Sequence, residues 1–116
     1  MDWNYIAGFF DAEGCINRWV DKSKGKNKHK RYSRSKLLIV QTSKNNKSKI
    51  LYDFVEFLGY GRIYHRINQS DILCIAGIKE QYHFLTNIIP LSYVRKVELI
   101  SLFNELKKHK LNHVLL

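Results

Sequence analysis

The sequence predicts one α+β domain: a four-stranded antiparallel sheet with helices on one of its faces. Three observations carry this. Segments of helical and strand periodicity follow one another in the order helix, hairpin, helix, hairpin, helix, helix. Glycine, proline and Asn/Ser clusters punctuate the boundaries between them. The length of 116 residues and the 45% apolar content suit a single domain, residues 1–116, with a modest core. A sheet covered on one side leaves its other face bare for a ligand.

The elements follow in order. Asp2 is placed to cap a first helix that runs to about Glu13, and Gly14 is the expected C′ residue that ends it. Residues 15–20 read as a strand. Residues 21–36, DKSKGKNKHKRYSRSK, hold eight of the twenty basic residues and one acid. Within them Lys28, Lys30, Tyr32, Arg34 and Lys36 alternate, which puts them on one face of an extended segment. A long hairpin with its tip near 24–27 therefore returns through 37–42. A second helix is expected over 44–58, with Ile50, Phe54 and Leu58, flanked by Leu51 and Val55, as its core stripe and Gly59 as its cap. Residues 61–67 and 71–78 form a second hairpin around Asn68-Gln69-Ser70. A short helix covers 80–89 and Pro90 breaks it. Ser92 is placed to cap a last helix to about 110, with Val97, Ile100, Phe103 and Leu106 inward.

Twenty basic against ten acidic residues, net charge +10 and a pI near 9.7 point to a polyanionic partner. Nucleic acid is the first candidate and an anionic membrane surface the second. No apolar run approaches the ~18 residues needed to span a bilayer, and no signal peptide is recognisable. An intracellular, non-secreted protein is expected. Cys15 and Cys74 sit in apolar context and read as reduced, buried thiols, not as a disulfide framework. Neither CxxC nor HExxH occurs, so no structural zinc site is suggested. His109 and His113, in a basic tail, carry no functional expectation.

The opening helix breaks a local rule. A helix C-terminus prefers cations, yet YIAGFFDAEG ends on Asp11 and Glu13, and the first seventeen residues hold three acids and no Lys or Arg. Gly8 and Ala12, four apart, with Ala7 beside them, make a flat stripe that a second backbone can approach closely. Either this stripe packs within its own domain, or it packs on a copy of itself about a two-fold axis. The second arrangement brings two Glu13 and two Asp11 together, and such carboxylates repel unless protons or divalent cations share the site. Hard cations take carboxylate oxygens, water and substrate phosphate. Against this stands the plain alternative that two acids at a helix end are simply solvated.

IAGFFDAEG (6–14) resembles the LAGLIDADG motif position for position, with acids at its sixth and eighth places. The order αββαββα plus a terminal helix, the basic hairpins and the GYG step at 59–61 are also similar to that family. The resemblance covers nearly the whole chain and implies a LAGLIDADG homing endonuclease of the single-motif, homodimeric type, with a saddle-shaped sheet lying along the DNA major groove. It implies site-specific, metal-dependent double-strand cleavage at a long palindromic or pseudo-palindromic site, leaving short 3′ overhangs. The cation would be Mg²⁺ or Mn²⁺, with Ca²⁺ binding but not supporting cleavage. Glu13 matches the metal-binding carboxylate. Asp11 matches a more architectural acid close to the metal, and the Gly14 carbonyl is a further candidate ligand. Ala7, Gly8, Asp11 and Ala12 match the dimer helix.

The resemblance also implies supporting roles. Arg95, with Lys96 kept open, lies where a basic residue after the proline stabilises phosphoryl charge. Both cations fall at a helix start, the end that disfavours them. Ser43 falls where the family often has Gln at the end of the second strand, a departure, with Gln41 two residues earlier. Lys47 falls where a further basic residue helps to order solvent. The expected DNA interface comprises Asn17, Trp19, Lys28, Lys30, Tyr32, Arg34, Lys36, Arg62, Tyr64 and Arg66, with Asp71 at the start of the partner strand. The partners are double-stranded DNA and a second copy of the chain, with no membrane. Three other readings stay open: an intron maturase that uses the scaffold to bind RNA, a cleavage-silent DNA-binding module, and a basic RNA-binding protein outside the family.

Overall fold

The computed structural model describes residues 1–22 and 31–114, with side chains described for 1–20 and 33–108. The expected hairpin tip, Lys28 and Lys30 lie outside the described residues, as do the side chains of Tyr32, His109 and His113. The chain runs α1 (Trp3–Glu13), β1 (Gly14–Lys22), β2 (Arg31–Thr42), a 3-10 turn (Lys44–Asn46), α2 (Lys49–Leu58), β3 (Arg62–Arg66), β4 (Ser70–Ile75), α3 (Ile78–Ile88), a second 3-10 turn (Ile89–Leu91) and α4 (Lys96–Val114). The four strands form one antiparallel sheet in the order β1-β2-β4-β3, so the two hairpins meet through β2 and β4. No described helix is long and apolar enough to cross a membrane.

Register divides the sheet into two faces, because residues paired across antiparallel strands point the same way. Ile16↔Leu37↔Ile75 and Ile39↔Leu73↔Ile63 lie on one face, together with Gln41↔Asp71↔His65. All four helices cover this face, and its Leu37, Ile39, Leu73 and Ile75 join Ile6, Phe10, Leu51, Phe54, Phe84, Leu85, Ile88, Leu99, Leu102 and Leu106 in one core cluster. Polar ties cross the same boundary. Arg18 pairs with Glu105 of α4, and Ser35 exchanges hydrogen bonds with the buried Gln81 of α3.

Several elements depart from expectation for local reasons. Gly14 is not a left-handed cap: its φ is −76° and its N–H donates to the Phe10 carbonyl. Glycine is required there for space, since a Cβ would run into the Phe10 ring. Gly59, by contrast, is the expected left-handed cap at φ 77°. The second helix starts at Lys49, not 44, because Asn45 and Asn46 adopt positive φ, a conformation that asparagine tolerates well. The last helix starts at Lys96, and its buried stripe is Leu99, Leu102 and Leu106. Val97 (87% exposed) and Ile100 (43%) face outward, so of the expected inward set only Leu106 and the half-buried Phe103 hold. Cys74 is buried as expected, but Cys15 is exposed. Both are free thiols on the uncovered face, one on each side of Leu38. Two strand spacings, roughly 9–10 Å, separate them, too far for a disulfide.

Candidate functional site: the end of the first helix and the open sheet face

The two acids at the end of α1 have different fates. Asp11 is engaged from a distant loop: Ser92 Oγ donates to its Oδ1 and the Tyr93 N–H donates to its Oδ2 at 2.7 Å. Arg95 completes this anchor. Its Nε donates to the Asp11 carbonyl at 3.1 Å, its Nη1 donates to Glu98 Oε1 at 3.2 Å, and its guanidinium lies 5.7 Å from the centre of the Phe10 ring. Thus the cation missing from the C-terminal turn of α1 arrives from residue 95, where it meets carbonyls that carry the negative end of the helix dipole. Glu98 is not among the residues expected at this site; Ser92, expected as the cap of the last helix, accepts from the Arg95 N–H at 3.3 Å and also reaches Asp11.

Glu13, two residues on, is exposed and makes no hydrogen bond or ion pair with a described residue. Lys96, the first residue of α4, is likewise exposed and unpaired. Asp11, Val94, Arg95, Val97 and Glu98 line a shallow depression beside this helix end. Tyr93, Val94 and Val97 project from it, 94%, 76% and 87% exposed.

The expected dimer stripe divides. Gly8 and Ala12 are exposed, and a Cβ on Gly8 would meet nothing within 4 Å. Ala7 points the other way, 1% exposed in the core, and has no surface left for a partner.

Among the described residues no three His, Cys, Asp or Glu side chains gather to hold a metal ion. The chain offers a hard cation the unengaged Glu13 carboxylate and the adjacent Gly14 backbone. That donor set suits Mg²⁺, which takes one or two carboxylates and fills its shell with water and phosphate. Asp11 fits less well, since both of its oxygens already accept hydrogen bonds.

The open sheet face carries the cations. Cross-strand register puts Asn17 beside Lys36 and Trp19 beside Arg34 on it, and places Arg62, Tyr64 and Arg66 against Cys74, Ile72 and Ser70. Lys36 Nζ sits 5.5 Å from the Trp19 ring centre and the Arg62 guanidinium 6.0 Å from that of Tyr64. Such contacts keep the aromatic rings on a charged surface where a core role would have removed them. Every charged side chain described on this face is a cation.

Asp71 does not belong to this face. It is 5% exposed on the helix-covered side and accepts from His65 Nδ1 at 2.6 Å. Hydrogen bonds from Ser48 and then His65 hold its carboxyl below the usual carboxylate range. The Tyr52 hydroxyl reaches the other nitrogen of His65, so the cluster ties the second hairpin to α2.

The remaining expected residues lie apart from Glu13. Gly14 pairs with Ile39, and β2 continues past that point, so Ser43 falls about 13 Å further along the strand. Ser43 is half-buried and its N–H donates to the Gln69 carbonyl. Gln41 is on the covered face opposite Asp71 and donates to the Val40 carbonyl. Lys47 is exposed beyond the 3-10 turn.

Comparison with known proteins comes to the same place. The family model of the LAGLIDADG endonucleases matches residues 6–109. Among solved structures, homing endonuclease I-CvuI in complex with the I-CreI target in the presence of 2 mM Mg is similar at 25% identity and TM-score 0.79, covering 91% of this chain and 66% of that one. Homing endonuclease I-TnaI is similar at 21% identity and TM-score 0.79, covering 97% and 76%. The archaeal intron-encoded homing endonuclease I-Vdi141I, complexed with DNA, is similar at 21% identity and TM-score 0.72, covering 95% and 69%. This chain thus spans just under two thirds of the length of I-CvuI. No curated protein matches it.

Proposed function

This chain belongs to the LAGLIDADG endonuclease family, and from that premise we propose that it is a site-specific DNA endonuclease acting as a homodimer on a long palindromic or pseudo-palindromic duplex. The observation that carries the reading is the sorting of the sheet. The uncovered face holds Asn17, Trp19, Arg34, Lys36, Arg62, Tyr64 and Arg66, and Glu13, which no described residue pairs, stands where α1 enters that sheet.

The open face follows the major groove, where Arg donates bidentately to guanine and the other cations meet phosphate. Gly8 and Ala12 form the flat part of the two-fold contact, extended by Val94 and Val97 beside Asp11. The symmetry gives each strand its own Glu13. Asp11 positions the loop that carries the two candidate cations. Arg95 is held against the end of α1, and Lys96 is free to face phosphoryl charge as it develops. Ser43, Gln41 and Lys47, at the far end of β2, order solvent on the flank of the site.

Glu13 and a backbone oxygen at Gly14 would hold Mg²⁺ or Mn²⁺, and Ca²⁺ would bind there without supporting cleavage. A cation held there would supply the means to activate water and positive charge for the scissile phosphate and the departing 3′ oxygen. Cutting both strands leaves short 3′ overhangs.

Glu13→Gln tests this. Cleavage of the selected target is expected to disappear while DNA affinity stays within a few-fold. Full cleavage by this variant would remove the metal role, and a wild-type chain that binds DNA without cutting it would make the protein a silent binding module. Val94→Asp with Val97→Asp is expected to give monomers by sedimentation; an unchanged dimer would place the contact elsewhere. Loss of turnover at constant affinity in Lys96→Ala assigns the phosphoryl-facing cation to Lys96. The same loss in Arg95→Lys assigns it to Arg95.

A further inference from the structure

A row of aliphatic side chains runs down the middle of the open face, and the roles above do not use it. Register puts Leu38 and Val40 of β2 on that face opposite Cys74 and Ile72 of β4. Leu38, Val40 and Ile72 are half-buried. No described helix lies over them, since the described helices pack on the opposite face, so core packing among the described residues does not explain their apolar character. Strand β2 changes along its length from Arg34 and Lys36 to Leu38 and Val40. The outer strands β1 and β3 place Asn17, Trp19, Arg62, Tyr64 and Arg66 around the row. A contiguous apolar strip framed by cations is an interaction surface, not scattered surface hydrophobes.

We propose that Leu38, Val40 and Ile72 read thymine C5-methyl groups, so that the base pairs beneath the centre of the sheet are A·T. This rests on the DNA-binding function proposed above. The major groove displays hydrogen-bond donors and acceptors on every base pair, and the thymine methyl is its apolar feature. Aliphatic side chains pressed on guanine O6 and N7 or cytosine N4 would strip water from polar groups and offer nothing in return. Over a thymine methyl the same side chains lose no hydrogen bond and remove apolar surface from water. The strip therefore selects A·T by exclusion and by contact. Arg62 and Arg66, which make no ion pair with a described residue, supply guanine contacts on its flank.

The test begins with selection of bound duplexes from a randomised library by the full chain. Thymines in the selected site are then replaced singly by uracil, which lacks only the methyl group. The expected site has an A·T block flanked by guanine preferences. Each uracil under the strip is expected to weaken binding about fourfold, the worth of one buried methyl. In Leu38→Ala and Ile72→Ala, thymine and uracil are expected to bind alike at the position that each side chain covers. The thymine–uracil comparison on the unaltered protein needs no variant to fold. If that protein binds thymine and uracil alike, or selects G·C pairs throughout the block, the proposal is overturned and DNA recognition stands. If no sequence is enriched, the DNA reading falls and the proposal with it.

Discussion

The two faces of this sheet are built from alternate residues of the same strands, and they have opposite chemistry. Leu37, Ile39, Leu73 and Ile75 point to the helices and are at most 2% exposed. Their neighbours Lys36, Leu38, Val40, Ile72 and Cys74 point the other way, into a surface bordered by Arg34, Arg62 and Arg66. Polar groups on the covered face are all answered: no buried side-chain nitrogen or oxygen among the described residues lacks a partner. Stability thus resides on one face and leaves the other free to be selected for binding. One residue of slip in β2 would exchange the two sets, so register itself is under functional constraint.

The largest effect expected from breaking this division is on the covered face. Leu73→Ala should cost about 2–5 kcal/mol in chemical denaturation, through lost burial and a cavity. Arg66→Ala, on the open face of the neighbouring strand, should change stability by less than about 0.5 kcal/mol while weakening DNA binding. Gln81→Ala comes next. Gln81 is 1% exposed and satisfies the carbonyls of Ser35 and Ala76, so its loss should cost about 1–3 kcal/mol.

A pH titration sharpens the assignment of Asp71 to the covered face. Its lowered pKa means that its contribution is present at neutral pH. That contribution is lost as pH falls below the unfolded carboxylate value of about 3.9 and on through the lower folded one. Asp71→Asn should flatten this part of the stability–pH curve, and an unchanged curve would place the acid sensitivity elsewhere. On the covered face the smallest effect belongs to Arg18→Ala, below about 1 kcal/mol, because the Arg18–Glu105 pair is partly exposed.

Much of this division could be read from the sequence. The alternation Arg34, Lys36 placed those side chains on the open face, and continuing it through Leu38, Val40 and Thr42 would have revealed the aliphatic strip. Asp71, expected in the DNA interface, lies on the covered face; a short strand does not fix its own phase, and its partner His65 does. Asp11 looks anomalous in the sequence because its partners lie about eighty residues away; the local signal at Ser92 is that of a helix cap, and nothing near it marks a partner for Asp11. The last helix starts at Lys96, just past this anchor, and Val97 faces outward. α4 carries apolar residues on more than one side, so periodicity alone could not choose between the Val97–Ile100 and Leu99–Leu102 stripes.

DNA binding by the open face can be separated from the effect of net charge. Arg62→Glu with Arg66→Glu reverses two cations on the open face. Lys49→Glu with Lys79→Glu makes the same charge change at exposed positions on α2 and α3. Duplex affinity measured at one fixed salt concentration should fall more than about tenfold for the first pair and stay near wild type for the second. Equal losses in the two pairs would mean that net charge, not the open face, governs binding.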